Sequence, residues 1–164
     1  MGNQLELKLK LNHLRQLWFD FSEKHTELYE ITCDEYMHLL ASEIDELEAN
    51  IDEKTKVLGY INQLEVQRNE LTNEITNHYG AEKQTKLSGF LKVLNENNEE
   101  TISGEINKLN LILLDIVEKI QEQNRKNQFF LNKAIMSLKE LKESFNGKPA
   151  YKTYSSSGMT KGPY

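Results

Sequence analysis

No proline precedes Pro149 in this chain, and no glycine lies between Gly2 and Gly59 or between Gly104 and Gly147. Proline and glycine are the usual breakers of regular structure. A chain with so few of them must be built from a small number of long elements, and the apolar spacing makes those elements helices. Leu40, Ile44, Leu47 and Ile51, then Leu58 and Ile61, fall at alternating intervals of four and three, with Lys54 as the polar interruption. A neighbouring stripe of Val57, Leu64, Leu71 and His78 takes over toward the end. This first element can begin as early as Asn12, with Leu14, Leu17, Trp18 and Phe21 on one side and a break near Ser22–Thr26. It is expected to stop at Gly80, a suitable residue just past a helix C-terminus.

A second long helix is predicted after Asn97-Asn98-Glu99-Glu100, running to Phe145 and ending at Gly147 with Pro149 behind it. Its stripe is Ile102, Ile106, Leu109, Leu113, Ile116 and Ile120, then Phe130, Ala134, Leu138, Leu141 and Phe145, interrupted at Gln123 and Asn127. Between the two, residues 82–94 predict a shorter helix with Gly89 inside it. The expectation is an all-α protein: a long antiparallel helical hairpin or elongated bundle, with a shorter third helix. Residues 1–147 form its helical domain. Residues 148–164, rich in small and turn-forming residues with no apolar period, are expected to be a disordered tail.

Charge supports the hairpin. The chain carries a net charge of −6, which argues against nucleic acid as a partner. Residues 27–53 hold ten acidic side chains and no lysine or arginine, whereas 119–161 hold nine lysines and arginines against three glutamates. If the helices fold back near residue 89, residue i faces about 178 − i, and the acidic stretch lies beside 125–151. Each exposed pair contributes only about 0–1 kcal/mol, so the pattern selects an orientation more than it stabilises one.

Several chemistries lack their residues. The lone cysteine, Cys33, forms no internal disulfide, and no CxxC or Cys/His cluster offers a zinc site. There is no GxxxxGK[ST] or GxGxxG loop for phosphates. His13, His25, His38 and His78 are scattered, so an enzyme is not expected, nor any cofactor. Glu35-x-x-His38 is half of a helix-bundle di-iron motif, but no second Glu-x-x-His exists, and an ordinary acidic face is expected there. The opening residues lack a continuous apolar stretch, so no signal peptide is expected. Glu6 stands where myristoylation of Gly2 would want Ser or Thr. No run of about 18 apolar residues exists to span a membrane. A cytoplasmic protein without membrane insertion is the expectation.

Phe129, Phe130 and Leu131, with Ile135, Met136, Leu138 and Leu141, form a cluster wider than one helical seam requires. Successive helical residues point about 100° apart, so 129, 130 and 131 cannot share one partner. They either pack a third helix, 12–24 or 82–94, or line a groove for an amphipathic helix of another protein. Both hold if that helix completes the bundle. Phe129, Phe130, Leu131, Ile135, Leu138 and Leu141 are accordingly the candidate binding residues.

One set of spacings runs Glu35-x3-Leu39-x3-Glu43-x3-Leu47, then Lys54-x2-Val57-Leu58-x2-Ile61-x2-Leu64-Glu65-x2-Arg68-x2-Leu71. Asn124-x2-Asn127 leading into Leu131 and Tyr154-x3-Gly158 complete it, over about residues 28–158. In these the chain resembles the FlgN family of flagellar type III export chaperones. The tail departs from the commoner form by a Ser-Ser-Ser spacer and a second tyrosine, Tyr151. The resemblance implies a cytoplasmic chaperone for hook-associated, hook–filament junction proteins, binding their amphipathic C-terminal segments through its own last helix. It further implies delivery to the cytoplasmic domain of the export-gate membrane protein, with the export ATPase as a further partner, and docking through Tyr151 and Tyr154. The competing reading is a homodimeric coiled-coil spacer or tether. Such a coil wants sustained apolar a and d positions, and here the seam is broken at Lys54, at Glu65/Arg68 and at Gln123/Asn127.

Overall fold

The structure, a computed structural model, describes residues 1–147 together with the short segments 153–154 and 160–161. Its helices are α1 (Gly2–Ala41), α2 (Ile44–His78), α3 (Leu87–Glu96) and α4 (Glu100–Phe145). Two-residue strands β1 (Thr153–Tyr154) and β2 (Thr160–Lys161) pair antiparallel, Thr153 opposite Lys161 and Tyr154 opposite Thr160. The all-α expectation holds for the body of the chain. The rest of the predicted tail lies outside the described residues. The chain divides into two compact units, residues 1–123 and 124–164, so α4 contributes to both.

In the first unit, α1, α2 and the first half of α4 form a three-helix bundle, and α3 covers the end where α2 finishes and α4 begins. Buried positions recur at three and four along α1 (Leu7, Leu11, Leu14, Trp18, Phe21) and by sevens along α2 (Val57, Leu64, Leu71) and α4 (Ile106, Leu113, Ile120). That recurrence is the period at which a helix keeps one face toward its neighbours. Leu64, Leu71, Ile106 and Leu113 share one core cluster, and Val57 and Ile120 share the next, so α2 and α4 run antiparallel. This is the register that folding back near residue 89 requires. Phe90 and Leu94 of α3 join the larger cluster.

The helix ends follow one device. Gly80 adopts φ 66°, its N–H donates to the Asn77 carbonyl, and the Ala81 N–H reaches back to Thr76. This is a Schellman turn, which satisfies carbonyls left open at the end of α2, and it stands where the spacing predicts. Asn98 closes α3 in the same way at φ 63°. Ser42 closes α1 at φ 56°, with its own N–H on Leu39 and the Glu43 N–H on His38. Asparagine visits this region readily, whereas serine does so at a cost.

That turn at Ser42 corrects the expectation of one unbroken helix through Leu40, Ile44 and Leu47 to Gly80. The chain reverses at 42–43, so the acidic stretch 27–53 is itself folded back, with α1 against α2. No glycine or proline marks the site. Glu43 secures it, its carboxylate accepting a 2.9 Å hydrogen bond from His38 Nδ1. The expected break at Ser22–Thr26 does not occur. Ser22 donates to the Trp18 carbonyl, Thr26 to Ser22 and His25 Nδ1 to Phe21, so these turn-forming side chains bond within the helix instead of capping an end.

The seam on α2 also differs from the first stripe. Val57, Leu64, Leu71 and Ile75 are buried, whereas Leu40, Ile44, Ile51 and Leu58 are exposed. The Leu40–Ile44 phase runs through the reversal at Ser42, so it cannot continue as one face. Two apparent interruptions of the seam are contacts between helices. Lys54 of α2 pairs with Glu35 of α1 at 3.2 Å, both side chains mostly covered. Arg68 pairs with Glu65 and lies over the rings of Trp18 and Phe21, 5.2 and 5.3 Å from their centroids.

Candidate protein-binding surface

Residues 124–145 continue the spacing of α4 with a different outcome. On a helix turning about 100° per residue, Phe130, Leu131, Ala134, Leu138, Leu141 and Phe145 fall in one stripe about 100° wide, with Ile135 at its edge. Leu131, Ile135, Leu138, Leu141 and Phe145 are exposed by 37, 54, 66, 54 and 83%. Phe130 and Ala134 are half-buried. A continuous apolar face of this size on a helix marks an interaction site more often than a solvated surface.

The flanks of the stripe are basic. Lys139 and Lys142 run along one border and Lys126 and Lys133 along the other, while Glu140 and Glu143 stand on the far side of the helix. Phe129 lies far round from the stripe beside Met136, both exposed, with the Lys133 ammonium 4.6 Å from the Phe129 ring centroid. Of the six candidate binding residues, helix geometry brings five onto one face and places Phe129 on another.

The two segments offered as covering helices have partners within the first unit. Leu14, Leu17, Trp18 and Phe21 are buried in the first unit with Leu64, Ile75 and Ile106, and Phe90 and Leu94 join them there. Both proposed covering segments therefore spend their apolar faces on that core.

The remaining candidates have simpler surroundings. Glu35 is held by Lys54 and His38 by Glu43. Among the described residues no three histidine, cysteine or carboxylate side chains gather as metal ligands. No helix among them is long and apolar enough to cross a membrane. Tyr151 lies outside the described residues, and Tyr154 is described only through its backbone pairing with Thr160.

The profile of the FlgN family, described as FlgN protein, matches residues 20–162 and so takes in the rest of α1, the whole exposed stripe and both tyrosines. This chain belongs to the FlgN family. FlgN proteins are flagellar export chaperones. No curated protein and no solved structure matches the chain. Residues 1–19 lie outside the match, yet they supply Leu7, Leu11, Leu14, Leu17 and Trp18 to the core. Sequence reasoning began α1 at Asn12 and so missed Leu7 and Leu11. Their spacing of three and four to Leu14 was the available signal.

Proposed function

We propose that this FlgN-family chain works in the cytoplasm, where α4 binds the amphipathic C-terminal helices of hook-associated, hook–filament junction proteins. It keeps those helices from assembling early and delivers them to the type III export gate. Residues 1–147 act as the chaperone domain, and residues 148–164 as a tail that docks on the cytoplasmic domain of the gate protein through Tyr151 and Tyr154. The export ATPase is a further partner in that delivery.

One observation supports this reading: α4 carries an apolar stripe on to Phe145, and Leu131, Ile135, Leu138, Leu141 and Phe145 on it are exposed. A subunit whose terminal helices polymerise needs them covered before secretion. A helix laid along an exposed apolar stripe does this without nucleotide or cofactor. Phe130, Leu131, Ile135, Leu138 and Leu141 are the contact residues, and Phe129 contributes from the far side of the helix if the client wraps it.

The test is titration of the full chain with a purified C-terminal segment of a hook-associated protein, with Leu138→Asp and Leu141→Asp as variants. The expected result is micromolar or tighter binding, weakened more than tenfold by either variant with thermal stability unchanged. Absence of binding by the native chain, or binding indifferent to both variants, contradicts the proposal.

A further inference from the structure

The first unit carries a second apolar recess, unrelated to the stripe on residues 124–145. α1 and α4 run parallel there, since Arg15 pairs with Glu105 at 3.3 Å and, further along both helices, Leu28 and Ile31 pack with Ile120, and they leave between them a groove of about 570 Å³. Leu109 and Ile116 line it, half-buried. Phe19 and Ile112 stand on its two lips and remain 54% and 52% exposed. A further hollow of about 340 Å³, lined by Arg15, Phe19 and Leu109 among others, extends it toward the Arg15–Glu105 pair. From Arg15 to Glu30 the α1 edge is about 22 Å long, the length of roughly four helical turns.

The electrostatics of the larger groove are one-sided. Glu23, Glu27 and Glu30 line it along α1, and no lysine or arginine is among its lining residues. The nearby Lys24 is turned away, its ammonium 2.8 Å from Glu27 and 5.0 Å from the Tyr60 ring centroid of α2. The Glu27 carboxylate holds that ammonium above its usual range, so Lys24 stays charged and committed to Glu27. Glu23 and Glu30 form no ion pair among the described residues, and they stand two turns apart on one edge. The stripe on residues 124–145 has lysines along both borders instead. An amphipathic helix whose polar edges suit one surface is repelled by the other.

We propose that the α1–α4 groove is a second docking site, which takes an amphipathic helix of another protein carrying lysine or arginine along the edge of its apolar face. Its apolar residues pack between Phe19 and Ile112 onto Leu109 and Ile116, adding a fourth helix to the three-helix bundle. Its cations, spaced by three or four and by seven, meet Glu23 and Glu30. The site does not depend on what residues 124–145 bind, so a basic partner can be held while that stripe is occupied.

The experiment uses the full chain and two labelled synthetic peptides that share one leucine stripe, one with lysines along both edges and the other with glutamates there. Fluorescence anisotropy is read at physiological salt against Phe19→Asp, Ile112→Asp, Glu23→Gln/Glu30→Gln and, as a control outside the groove, Ile135→Asp. All five positions are exposed, and circular dichroism confirms that each variant folds. The basic peptide is expected to bind, to lose about tenfold or more in affinity with Phe19→Asp or Ile112→Asp, and to lose several-fold with the double glutamine variant. Ile135→Asp should leave it unchanged. No binding, binding indifferent to Phe19 and Ile112, or equal Phe19-dependent binding of the acidic peptide overturns the proposal. Self-association of the chain that Phe19→Asp abolishes does so too, by assigning the groove to a second copy.

Discussion

The two halves of α4 have the same apolar period and opposite fates. Stepping by sevens, Ile106, Leu113, Ile120 and Asn127 are 0, 8, 7 and 3% exposed, Ala134 is half-buried, and Leu141 near the far end is 54% exposed. Residues 100–123 have α1, α2 and α3 to pack against, whereas the stripe from Leu131 to Phe145 is left open to solvent. An apolar period therefore predicts that a helix forms and which face it will bury, but not what it buries that face against. Where the chain supplies the neighbour, the face is core. Where it does not, the face stays in water, at a cost of about 25 cal/mol per Å² of apolar area.

Truncation should separate the halves most sharply. Ile106→Ala and Leu14→Ala, at fully buried positions, should each lose about 2–5 kcal/mol of unfolding free energy in urea titration. Leu138→Ala and Leu141→Ala should stay within about 0.5 kcal/mol of the native chain. Comparable losses at Leu138 and Ile106 would break the comparison, because Leu138 would then be core. A smaller effect probes how the first unit closes. Arg68→Ala removes a cation from the Trp18 and Phe21 rings and should cost about 1 kcal/mol, while Arg125→Ala, on the far side of α4 from the stripe, should cost almost nothing.

Much of this contrast was legible in the residues. Gly80 and the Asn97–Glu100 run marked helix ends because left-handed turns favour glycine and asparagine, and the Val57, Leu64, Leu71 and Ile106, Leu113 and Ile120 stripes marked the faces those helices bury. The reversal at 42–43 was hidden because Ser42 takes φ 56° where a glycine would have announced the turn. Ser22, Thr26 and His25 suggested a break by type, yet each bonds a carbonyl one turn back. At the binding surface, the apolar excess from Phe129 to Leu141 was visible as composition. Its exposure was not, since spacing cannot tell whether residues 12–24 turn toward it or toward α2. The α1–α4 groove was invisible for a related reason: Phe19 and Ile112 become neighbours only once the parallel register of those helices is set.

Two smaller effects sharpen the comparison further. Ser42→Gly should stabilise the first unit by about 0.5–1 kcal/mol, read as a raised urea midpoint, because glycine adopts the left-handed conformation without the penalty of a side chain. That gain should leave client affinity on residues 124–145 unchanged. Tyr151→Ala with Tyr154→Ala should alter neither stability nor client affinity while lowering client secretion, since the proposed tail docking is separate from both helical surfaces. Normal secretion, or a parallel loss of client affinity, would remove the tail from that role.

Hydrogen exchange on α4 tests the central claim most directly, followed with and without a purified C-terminal segment of a hook-associated protein. In the free chain, amides of residues 103–120 should exchange slowly because they sit in a packed bundle, and those of 128–145 quickly. Adding the segment should slow 128–145 strongly and leave 103–120 as they were. Protection that is already high at 128–145 in the free chain, or that rises on binding only at 103–120, would contradict the account.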